Sequence, residues 1–169
     1  MKQAHLIPIL AMLLAPLTAN SIEIHDHVSK DIGANTPVPK IEIHIFKDTM
    51  DGVNLHVAVE NYSLDAPDNV TNKSDLTDDG VLQGHAHVFV NATKFSRLYG
   101  NDMHIPASAL KEGVNQIAVS LNSHNHENWV KDNQDIVSSV FFDLSKDPII
   151  LHNFTSQPLE HTYMHHSGH

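Results

Sequence analysis

Cysteine is absent from all 169 residues of this chain, and the omission closes off several designs. No disulfide can stiffen the fold, which argues against the small extracellular domains that depend on them. No thiolate can hold a metal, so a metal site must draw on imidazole, thioether and carboxylate. A blue-copper electron-transfer centre needs that thiolate and is disfavoured for the same reason. Basic residues are scarce too: 10 Lys and Arg stand against 20 Asp and Glu, for a formal net charge of −10. Nucleic-acid binding requires clustered Lys and Arg against phosphates, so nucleic acid is not an expected partner. Beyond the leader, no apolar run reaches the roughly 18 residues of a spanning helix, and no membrane insertion is expected. No G-x-S-x-G, H-E-x-x-H or phosphate-loop pattern occurs, so the chain is not expected to be an enzyme. A metal-dependent enzyme would need an acid/base group near its ion, and Glu127 is the obvious candidate.

Histidine is what the chain has instead, 15 residues of it. His85 and His87 stand as H-A-H inside the alternating run G-H-A-H-V-F-V, and His124 and His126 stand as H-N-H just after V-N-Q-I-A-V-S-L. Met103-His104 lies between these pairs, and the chain ends E-H-T-Y-M-H-H-S-G-H. Residues i and i+2 of a strand share a face, and neutral imidazole is the commonest protein metal ligand. His85 and His87 therefore face one way with Phe89, while Ala86, Val88 and Val90 face a core. A sandwich can bring the tip carrying His124 and His126 beside that strand. The candidate metal ligands are His85, His87, His104, His124 and His126, with Asn122 and Glu127 as supporting groups. Methionine next to histidine at Met103-His104 and Met164-His165 favours copper, with zinc as the alternative. A histidine facing solvent on a strand is often ordinary polar surface, the preferred reading for His44 and His56, each alone on its strand. Asp75, Asp78 and Asp79 offer hard oxygen ligands for calcium, but they do not follow the regular calcium-loop spacing.

Residues 1–21 read as a secretory signal: Lys2, an apolar core from Leu6 to Leu17, and a cleavage site at Ala19-Asn20-Ser21. No cysteine stands near that site to carry a lipid, so a soluble periplasmic or secreted protein is expected. Residues 22–39, with His25 and His27, form a flexible lead-in, 40–151 a β-domain, and 152–169 a His-rich tail. Alternation predicts strands over Ile41–Ile45, Val53–Val59, Gly84–Val90, Phe95–Tyr99, Val114–Leu121 and Ile136–Leu144. Asp51-Gly52 joins the first two as an antiparallel hairpin. Tyr62 to Gly80 is a polar excursion. Short strands without an amphipathic helix predict an all-β fold, an antiparallel β-sandwich of immunoglobulin-like or cupredoxin-like layout. Sequons at Asn61, Asn69, Asn72, Asn91 and Asn153 would invite glycosylation in a eukaryote.

The segments G-H-A-H-V-F-V-N, R-L-Y-G, H-I-P and G-V-N-Q-I-A-V-S-L-N-S-H-N-H, between Gly84 and His126, carry a resemblance. They look like bacterial exported proteins built on an H-x-H strand, an H-x-P step and a G-x-N-x-I-x-V-x-L-N strand ending in histidine. More remotely, and in architecture alone, the chain is similar to periplasmic β-sandwiches of the copper-resistance type. The resemblance implies His85, His87, His104 and His126 as the ligand positions. The methionine-rich run of the copper-resistance group is missing, which separates this chain from a dedicated Cu(I) shuttle. The expected function is binding of a transition metal, for storage, delivery or resistance, with a periplasmic protein as a further partner. The alternative is a non-enzymatic adhesion or assembly module.

Overall fold

Branched apolar residues alternating with polar ones give each strand one face for a core and one for solvent. A computed structural model of the chain describes residues 28–67 and 74–156. The signal segment 1–21, His25 and His27, the sequons Asn69 and Asn72, and the tail histidines His161, His165, His166 and His169 lie outside the described residues. Twelve strands follow in order: β1 (Ser29–Asp31), β2 (Lys40–Lys47), β3 (Val53–Glu60), β4 (Tyr62–Leu64), β5 (Leu82–Val90), β6 (Thr93–Leu98), β7 (Asp102–Ile105), β8 (Val114–Asn122), β9 (Asn128–Lys131), β10 (Gln134–Asp135), β11 (Val137–Asp143) and β12 (Ile150–Ser156). A 3-10 turn, Ala107–Ala109, precedes β8.

The strands form two packed sheets, the all-β sandwich that the alternation predicts. The smaller sheet runs β2-β3-β7. In the larger one, β8 pairs antiparallel with β5 on one side and β11 on the other, and β6 and β12 extend it outward. Two short pairings are parallel, β1 with β9 and β4 with β5. Ile41, Ile43, Ile45, Val53, Leu55, Val57 and Ile105 of the small sheet are buried, as are Ala86, Val88, Val90, Ile117, Val119, Leu121, Val140 and Phe142 of the large one. Each such Val, Ile, Leu or Phe contributes ~1.5–3 kcal/mol when fully buried.

The hairpins explain the registers. The β2–β3 turn ends at Gly52, whose φ of 67° belongs to the left-handed region that glycine adopts freely. Asn91 and Ala92, at φ 50° and 65°, make the two-residue link from β5 to β6, and Asp132-Asn133 make another from β9 to β10. Positive φ at both central residues marks the hairpin turn that matches strand twist. β1 lies within the stretch read as a lead-in, and β12 continues the domain to Ser156. β1, β4, β7, β9, β10 and β12 were not among the expected strands. The first five are only two to four residues long, too short to show a period. The Asp75 carboxylate pairs with Lys30 at 2.7 Å.

Candidate metal centre

β5 runs between β6 and β8, so the face of β5 turned away from the core is walled on both sides. His85 and His87 occupy that face, yet they are 1% and 0% exposed. Their burial comes from what folds over them. The Tyr99 ring lies 5.5 Å from that of His85, and the Phe89 ring lies 6.4 Å from that of His87. The turn from β8 to β9 brings the His126 ring to 4.8 Å from His85 and 5.7 Å from His87.

That turn is held from several directions. The Ser123 amide donates to the Glu127 carbonyl and the His126 amide to the Ser123 carbonyl, both at 2.9 Å. Ser123 Oγ accepts from the Asn125 and Glu127 amides and donates to the Glu127 carboxylate. At its base, buried Asn122 donates to Asn128 at 2.6 Å and accepts from the Ser120 hydroxyl. Lys30 on β1 clamps the far side, 3.0 Å from Glu127 and 2.7 Å from Asp75, with its ammonium over the Trp129 ring. Partial burial disfavours that ammonium, but the hydrogen bonds and charges of Asp75 and Glu127 outweigh it and raise its pKa. Lys30 in turn holds the Glu127 carboxyl below its ordinary range. Glu127 and Asn122 thus fix the turn.

The turn sets His126 at φ 68°, an uncommon conformation for a residue with a Cβ. Such a residue persists only where its surroundings over-determine it. Gly84 plays the matching part on β5. A Cβ there would fall on the Asn122 carbonyl oxygen and the Tyr62 hydroxyl, and that hydroxyl donates to the same carbonyl at 2.7 Å. Glycine lets β4, β5 and the end of β8 close up directly beside His85.

The ligand atoms of His85, His87 and His126 all lie within 4.8 Å of one another. Nε2 of His85 and Nε2 of His87 are 2.9 Å apart. Two imidazole nitrogens on one tetrahedral ion, at bonds of about 2.0–2.1 Å, sit roughly 3.3 Å apart. The three are close enough together to hold one ion. Burial, then electrostatic repulsion from His126, Arg97, His124 and Lys94, pushes the His85 pKa down to about 3. Its ring is neutral at neutral pH, the state that ligates.

Among the described residues, no carboxylate belongs to this group. The charged neighbours are cations: Lys94 Nζ lies 3.2 Å from His87 Nε2, and Arg97 stands opposite His87 in the β5–β6 register. Burial, then the charge of Arg97, lowers the Lys94 pKa.

Of the five expected ligands, the structure brings His85, His87 and His126 together. His124 lies next to them, its ring stacked 6.3 Å from His85 and its buried Nδ1 without a hydrogen-bond partner among the described residues. His104 is elsewhere. It sits exposed on β7 of the small sheet, with Nδ1 3.2 Å from Asn54 Oδ1, because β7 pairs with β3 rather than with β5. Lys94, Arg97 and Tyr99 were missed as neighbours. The alternation of β6 could have placed Arg97 on the histidine face, but a register shift after Val88 hides Lys94. No known family, curated protein or solved structure matches this chain.

Proposed function

We propose that this chain is a transition-metal-binding protein that holds copper, with zinc as the alternative, for storage, delivery or resistance outside the cytoplasm. The observation that carries the reading is the convergence of His85, His87 and His126, whose ligand atoms lie within 4.8 Å of one another. Three imidazoles suit copper and zinc and leave hard cations such as calcium poorly served. Charge supports copper further. With Lys94 and Arg97 beside the three rings and no carboxylate grouped with them among the described residues, a monovalent Cu(I) meets half the repulsion from these cations that a divalent ion meets. A zinc ion would need an anion in its fourth position to be equally at ease. The engagement of Glu127 with Lys30 and Ser123 supports a holding role over catalysis, since a metal hydrolase needs its acid/base group free. The apolar leader in the sequence supports the extracytoplasmic setting.

Titration of the full chain with Cu(I), Cu(II) and Zn(II), each against a competing chelator, tests this reading. One tight equivalent is expected in the native protein and is lost in His87→Ala and His126→Gln. Unchanged stoichiometry and affinity in both variants would remove the pocket from the account. The assembly reading would then lead, favoured by Leu151 and Phe154 exposed on β12, which pairs with β11 on one side.

A further inference from the structure

The small sheet gathers histidines of its own. β2 and β3 pair so that His44 lies directly across from His56, and β7 sets Asp102 across from His56 on its other side. One row along, Phe46, Asn54 and His104 are aligned in the same way. Ile43, Ile45, Leu55 and Val57 fill the core, so His44, His56, Asp102 and His104 all stand on the outer face.

The His44 and His56 rings are 6.2 Å apart between centroids and inclined by 29°. His56 Nδ1 lies 2.8 Å from Asp102 Oδ1. That carboxylate accepts only, so Nδ1 carries the proton and Nε2 keeps its lone pair for a ligand. Asn54 Oδ1 acts in the same way on His104. An imidazole oriented by a carboxylate through its second nitrogen is the usual support of a metal-bound histidine. Asp102, His56 and His104 line one open groove of about 450 Å³. Glu42 adds a carboxylate 3.9 Å from His44 Nε2.

We propose that this face is a second metal site, where His44 and His56 bind one divalent transition ion and Asp102 orients His56. Carboxylates at Glu42 and Asp102 compensate a divalent charge there. The side chains of His44 and His56 are 49% and 43% exposed, so the ion exchanges with solvent. This site stands independently of the buried one.

The test is Cu(II) titration of the full chain followed by amide NMR, in native protein and in His44→Ala, His56→Ala and Asp102→Asn. The exposed positions leave the core intact on substitution, and every variant keeps the terminal histidines, so their contribution cancels. The expected result is paramagnetic loss of the signals of residues 44, 56 and 102 at low copper. The concentration needed rises more than tenfold in either alanine variant, and about 10-fold in Asp102→Asn. Signals around His126 follow one curve in all four proteins. Identical titrations of residues 44, 56 and 102 in native and alanine proteins would overturn the proposal. So would their survival until copper broadens the whole spectrum.

Discussion

Two groups of histidine, one on each sheet, show how differently the same side chain behaves in one small fold. On β5, His85 and His87 are buried under a turn, ringed by Tyr99, Phe89 and two cations, with no carboxylate grouped with them among the described residues. On β2 and β3, His44 and His56 stand in solvent beside Glu42 and Asp102. Enclosure holds the first group to one geometry, whereas exposure leaves the second open to exchange. A buried donor set discriminates by size and charge, and an open pair discriminates little. The comparison teaches that count and spacing of histidines do not set metal chemistry; the covering residues do.

The largest expected effect separates the two groups. His87→Ala removes a central donor and should weaken the tight equivalent by more than about 100-fold, beyond the usual cost of losing a supporting hydrogen bond. His44→Ala with His56→Ala should leave that equivalent untouched in the same chelator competition.

Next comes packing. Gly84→Ala forces a methyl against the Asn122 carbonyl and Tyr62, and overpacking of this kind costs about 1–3 kcal/mol. Urea unfolding should show it, with no counterpart for alanine at His44.

Acid should act through the buried group as well. The folded pKa of His85, about 3, lies below the ~6.5 of an unfolded histidine. The unfolded chain therefore takes up the proton first. The stability contribution is whole above pH ~6.5 and is lost as pH falls toward 3, at no more than about 1.4 kcal/mol per pH unit. Urea midpoints across this window should fall in native protein, and fall less in His85→Ala.

The smallest effects on stability concern the turn. His126→Gly relieves a left-handed residue and should raise stability by about 0.5–1 kcal/mol while abolishing the tight equivalent, since relief of strain exceeds the entropy of glycine only modestly. Lys30→Met should cost about 0.2–1 kcal/mol, because its ion pairs are partly open to water. Metal affinity should weaken with it.

The alternation of β2, β3, β5, β8 and β11 is legible because each strand turns apolar residues to one core. The H-A-H pair was legible on the same ground, since Ala86 and Val88 had to face inward. Its burial was not, because the cover comes from Tyr99 and from a turn some 40 residues later. Choosing between His124 and His126 depends on a backbone angle at His126 that no pattern announces. His104 was drawn to the wrong company because the β3–β7 pairing is non-local. The His44–His56 pair was not legible: a two-residue turn at Asp51-Gly52 would set Ile45 against Ala58, whereas Lys47 pairs with Val53 across a longer link and so sets Ile45 against Leu55 and His44 against His56.

The most direct measurement is diffraction from crystals grown with one equivalent of copper, recorded at the copper absorption edge. The account predicts an anomalous peak about 2.0–2.1 Å from a nitrogen of each of His85, His87 and His126, with Lys94 moved off His87. Copper found elsewhere, with Lys94 still against His87 and the pocket closed, would contradict it.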